Sequence, residues 1–181
     1  MSTETKTNGV AKLPTLNDLI TESENSIALN NLQVLLNQNP PTEWLQKHPM
    51  ISGYYYLPIE RVEYILTRIF KKWWVEILDS KIIANSAVVT VRLFVINPLD
   101  GSTWHNDGIG CSPIQTDKGA GATNFDQVKS DGVMKAVPSA ETYAIKDAAD
   151  KFGKLFGKDT GRKNNIDYNG LIKVTTENDL K

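Results

Sequence analysis

The chain reads as an α+β domain, a three-stranded antiparallel β-meander packed with helices. Three observations predict it. In residues 58–72, Ile59, Val62, Ile65, Leu66 and Ile69 recur at helical spacing. From Trp73 the period changes to two, and Val89, Val91, Leu93 and Val95 alternate with Thr90, Arg92, Phe94 and Ile96. Helical periodicity then returns in Ile145, Ala148, Ala149, Phe152, Leu155 and Phe156.

Taken in order, residues 1–20 are small and polar and read as a disordered tail. Ile27, Leu32, Leu35 and Leu36 mark a helix over 23–37, which Pro40-Pro41 ends. Thr42 can cap a short helix before Pro49, and 53–57 is an extended entry. Pro58 suits the first position of the next helix, and Lys71 and Lys72 suit its C-terminal end.

Strands follow at 73–79, 81–97 and 102–110, the last two joined by the Pro98-Leu99-Asp100-Gly101 turn. Residues 111–130 are a loop, and 132–137 a short helical or extended piece before Pro138. Ser139 caps the last helix and Gly157 ends it. The globular domain spans 21–163, and 164–181 is a flexible tail.

At 181 residues the chain is one domain with a sizeable core. Basic residues number 20 and acidic ones 21, so an anion-binding surface must come from local clustering. The single Cys111 leaves no internal disulfide, which fits a reducing cytoplasm. The N-terminus lacks an apolar secretory core, and no run is long enough to span a membrane.

One cysteine and the isolated His48 and His105 make no zinc cluster. His105 and Asp107 share a strand face, but no nucleophile motif joins them, and a polar hairpin face is the favoured reading. Residues 119–125 lack the GK[ST] of a phosphate loop, so no nucleotide cofactor is expected. The densest chemistry is basic. Lys151, Lys154 and Lys158 fall at i, i+3 and i+7, with Lys146 on the other flank of the apolar face. A second group comprises Arg61, Arg68, Lys71, Lys72, Lys81 and Arg92. On charge counts alone these form a solvated face. Tyr54-Tyr55-Tyr56 and Trp73-Trp74 supply rings, of which outward ones can stack on bases.

Three segments carry a resemblance: YLPIERVEYILTRIFKKWW, AVVTVRLFVINPLDGSTWHNDGIG and AIKDAADKFGKLFGK. In that order they resemble the single-strand annealing proteins of the Rad fifty-two type, which include recombination mediators and phage annealases. The resemblance covers a little over half of the chain, about residues 56–158. It implies an oligomeric ring with a basic groove that holds single-stranded DNA by its backbone, without nucleotide hydrolysis. Lys146 falls where the family has a groove lysine, whereas Asp147 and Asp150 fall where it often has arginines. Lys151 and Lys154 are the neighbouring replacements, and Lys47 lies near a further basic position. Lys81 and Lys118 fall near an outer DNA contact, and Arg61 and Arg92 match basic positions that serve either DNA or the fold.

The resulting expectation is a non-enzymatic, cytoplasmic annealing protein of phage or bacterial origin that uses no cofactor. Its partners would be single-stranded DNA, further copies of itself, and a host or phage single-stranded DNA binding protein or exonuclease. A coating protein that does not anneal is the alternative. A metal-dependent nuclease using His105, Asp107 and Asp126 is the weaker one.

Overall fold

A computed structural model describes residues 15–48, 51–121 and 123–160. The architecture is α+β, as the period change predicts. Helix α1 (Leu16–Leu36) leads to a two-stranded hairpin, β1 (Gln46–Lys47) and β2 (Tyr55–Tyr56). Helix α2 (Ile59–Ile69) follows, then the meander β3 (Trp73–Ile83), β4 (Ser86–Ile96) and β5 (Thr103–Pro113), and finally α3 (Gly132–Asp150). No helix among the described residues is long and apolar enough to cross a membrane.

Several boundaries differ from the expected ones. Helix α1 starts at Leu16, inside the expected tail, because Thr15 and Asp18 form a reciprocal capping box. Residues 42–44 are a single 3₁₀ turn, and Gln46 and Lys47 pair with Tyr56 and Tyr55 instead of continuing a helix. Pro58 is extended and caps α2 through its carbonyl. Strand β3 runs through to Ile83, with a bulge between Ile77 and Asp79, so Lys81 belongs to β3. The reversal falls at Ala84-Asn85, where Ala84 adopts positive φ. The expected tail 164–181 lies outside the described residues.

The core lies between the sheet and α3. Along β4, Ala87, Val89, Val91, Leu93 and Val95 are buried. Helix α3 answers with Ala136, Ala140, Ala144 and Ala148, one stripe at i+4 spacing and all buried. Opposite that stripe β5 presents Gly108 and Gly110. A Cβ at Gly108 would strike the Ala144 carbonyl, and one at Gly110 the Ala140 carbonyl. Small residues on both layers therefore set how closely helix and sheet approach. Asp147 adds a polar tie, its carboxylate accepting from the Ile109 N–H at 3.1 Å.

The last helix departs most from expectation. It includes Pro138, with no break before Ser139, whose hydroxyl donates to the Lys135 carbonyl at 2.8 Å and caps nothing. The carbonyl that Pro138 leaves without an N–H partner is that of Met134, and both residues are exposed. The helix stops at Asp150, not at Gly157. Gly153 lies so close to the Leu36 carbonyl that no Cβ fits, and the chain turns there into a 3₁₀ turn, Lys154–Phe156. Phe70, Phe152 and Phe156 cluster at this end, with ring centroids 5.6–6.4 Å apart.

Candidate nucleic-acid interface

A groove of about 660 Å³ opens where the β1–β2 hairpin, the start of α2 and one flank of α3 meet. Antiparallel pairing aligns Gln46 with Tyr56, so both face the groove. Strand alternation then turns Lys47 and Tyr55 away from it. His48 stands edge-on to Tyr54 and Tyr56, at 5.8 and 6.1 Å between centroids. From α3 come Tyr143, Lys146, Asp147 and Asp150, one to two turns apart and so on one side of the helix.

Lys146 is the central cation. Its ammonium lies 4.6 Å from the Tyr56 ring centroid, a cation–π contact. Burial lowers its pKa, partly offset by Asp150 and Glu60. Asp150 responds in the opposite sense. Loss of surrounding water, and then the charge of Asp147, push its carboxyl up to about 7, against the pull of Lys146 and Lys158. The groove therefore carries less negative charge below neutral pH than above it.

The remaining predicted cations do not converge here. The expected lysine stripe fails because the helix ends before it: Lys154 sits in the 3₁₀ turn and is buried at 3% exposure. Lys151 caps α3, donates to the Asp107 carbonyl, and pairs with Asp147 at 3.0 Å. It lines a second cleft of about 450 Å³ with Gln33, Trp104, His105, Asn106 and Phe152. Asp147, found where the resemblance leads one to expect an arginine, is thus a strut between α3 and β5.

A third group lies on the sheet face opposite α3. Trp74 and Phe94 stack across β3 and β4 with centroids 4.9 Å apart and planes 6° apart. The ladder continues to His105 at 5.5 Å, and Lys72 sits 5.5 Å over Trp74 at its other end. Arg92 holds Asp107 through two bonds, 2.6 and 2.8 Å long, which keeps that carboxyl below the ordinary range. The pair expected to serve a nuclease is therefore engaged across the sheet. Asp126 sits in a 3₁₀ turn of the β5–α3 loop. Lys81 pairs with Asp79 at 2.8 Å. Arg61 covers the Trp44 ring at 5.1 Å, and Lys71 and Lys118 are exposed.

Helical periodicity places Lys146 on a flank of α3 but does not unite it with Gln46, His48 and Tyr143. The Tyr54–Tyr56 run carried a signal, because alternating aromatics beside a turn put every second ring on one face. Tyr143 carried none, since its role depends on the hairpin folding back toward α3. No protein-family model matches the chain, and no curated protein is detectably similar to it.

Proposed function

We propose that this protein binds single-stranded DNA and promotes the annealing of complementary strands. The observation that carries the reading is Lys146 on a tyrosine-lined groove, next to a helix laid across a meander. The element order agrees with the resemblance to the Rad fifty-two type. An ammonium on a groove wall contacts phosphate without reading bases. Tyr54, Tyr56 and Tyr143 offer apolar faces to the sugar–base side of a strand. Subunits repeating this groove hold strands extended, and pairing is sampled until complementarity is found.

Lys47, Lys71, Lys72, Lys81 and Lys118 are exposed and serve as secondary phosphate contacts. Arg92, Lys151 and Lys154 have structural duties and are not assigned to the groove.

The test is a fluorescence assay with two complementary oligonucleotides at fixed salt. Faster pairing with the protein than without supports annealing. Slower pairing with tight binding identifies a coating protein, and no binding at all refutes the nucleic-acid reading.

A further inference from the structure

The turn that ends α3 sends the chain back to the groove. Gly153 bends it at the Leu36 carbonyl, and the Lys154–Phe156 turn carries it toward β2. Gly157, at positive φ, then passes between the end of α3 and the junction of β2 with α2. A Cβ placed there would lie 3.1 Å from the Leu57 Cβ and 3.9 Å from Asp150 Oδ1. Further on, the Thr160 hydroxyl donates to the Tyr55 carbonyl at 3.3 Å. Residues 157–160 therefore run antiparallel to residues 55–57.

Strand geometry makes Tyr55 the receiver of this contact. The His48 N–H donates to the Tyr54 carbonyl at 2.8 Å, so the Tyr54 peptide faces β1 and, by alternation, the Tyr55 carbonyl faces the open side. Tyr54 and Tyr56, its two neighbours, line the groove. The chain thus reaches Thr160 one residue away from the groove wall.

The charge of this segment is basic where that of the groove is acidic. The groove sets Lys146 against Glu60, Asp147 and Asp150. Lys158 is exposed, follows Gly157, and lies near enough to Asp150 to oppose the effect of burial on its carboxyl. In a continued helix Lys158 would stand about 18 Å along the axis from Lys146, whereas the turn returns it to Asp150, one turn away from that lysine. Arg162 and Lys163 come next in the sequence, and Asp159 is the acid among residues 158–163. Both cations lie outside the described residues, but chain length bounds them. On any path their Cα atoms are within about 7 and 11 Å of the Thr160 Cα.

We infer that Lys158, Arg162 and Lys163 form a cationic rim on the β2 side of the groove and take the phosphates of a single strand next to the one at Lys146. Ammonium and guanidinium groups on long stems hold a backbone and read no bases. The inference rests on the reading of the groove as a single-strand site and names further contacts for it.

The test measures fluorescence anisotropy of a short oligothymidylate over a range of salt, with circular dichroism to show that each variant folds. In Lys158→Ala/Arg162→Ala/Lys163→Ala the slope of log affinity against log salt should fall by about 2, from three contacts at about 0.7 each. Arg162→Ala/Lys163→Ala leaves every described contact in place and should lower it by about 1.4. Arg162→Lys/Lys163→Arg keeps both charges and should keep the wild-type slope. Lys129→Ala removes an exposed charge at the other end of α3 and should also leave the slope unchanged. A wild-type slope in the triple variant or in Arg162→Ala/Lys163→Ala overturns the inference and leaves the groove reading to its own test at Lys146. A drop of about 0.7 in Lys129→Ala overturns it too, because net charge and not place would then govern binding. Wild type that binds no oligonucleotide refutes the single-strand reading and the rim with it. Binding without faster pairing in the annealing assay refutes annealing alone.

Discussion

Asp150→Asn separates the charge of the groove from its shape. The carboxyl titrates near 7 in the folded chain, against 3.8 for an unperturbed aspartate, because burial and Asp147 disfavour its ionised form. A raised folded pKa contributes stability that is fully present below the unfolded value and is lost as pH rises through the folded one. For these two values, wild type loses roughly 2.5 kcal/mol at this group between about pH 5 and pH 8. Asp150 is partly open to solvent, so about 1–2 kcal/mol is the expected measurement. The D150N chain lacks that proton, and its stability should change less over the same interval. Urea unfolding followed by tryptophan fluorescence reads the difference as a midpoint shift of about 0.5–1 M. DNA affinity should follow the same charge. D150N should bind an oligothymidylate more tightly than wild type at pH 8 and equally at pH 6. If both chains lose the same stability between the two pH values, Asp150 is not the buried acid described. If D150N binds more weakly at pH 8, the groove is not where the phosphate lies.

Three further changes test other parts of the molecule. Lys146→Ala should weaken oligonucleotide binding at all sequences alike and reduce the slope of log affinity against log salt by about 0.7, measured by fluorescence anisotropy. Gly110→Val should cost about 3 kcal/mol and lower the Tm by roughly 6–12 °C, since the new side chain meets the Ala140 carbonyl rather than open space. In a double-mutant cycle, Trp74→Leu and Phe94→Leu should show a coupling of about 0.5–1.5 kcal/mol, from the stacked pair across β3 and β4. A coupling near zero would mean that the rings do not stack in solution.

The sheet was legible because alternation is a local property. Val89, Val91, Leu93 and Val95 of β4 face the core by the period of the strand alone, and the Pro98–Gly101 turn announces its end. The Thr15–Asp18 capping box is equally local, yet the polar composition of residues 1–20 masks it, and the expected helix begins only at residue 23. The end of α3 was not legible in this way. Residues 151–158 continue the helical period, and the helix stops because Gly153 must pass the Leu36 carbonyl, over a hundred positions away in the chain. Charge was legible as a count but not as a function. Lys151 and Arg92 satisfy acceptors on β5, and Lys154 is buried, whereas Lys146 sits beside an aromatic hairpin. Tertiary contacts alone distinguish among them.

These assignments bear on how a chain of net charge −1 can hold DNA. In the groove, Lys146 shares its surroundings with Glu60, Asp147 and Asp150. Counterion release from so few contacts gives one copy weak binding, since the salt-dependent gain scales with the phosphates neutralised. On the proposed function, a strand that spans several copies changes the arithmetic. Once one copy holds a strand, its neighbour meets the next stretch at an effective concentration in the millimolar range, and avidity rises by about 10²–10⁴ without any new kind of contact. An oligonucleotide long enough for several copies should therefore bind at least about 100-fold more tightly than one short enough for a single groove, measured by fluorescence anisotropy at fixed salt. Equal affinity for the two lengths would mean that copies do not act together on a strand, and that the groove described here is not sufficient to account for binding.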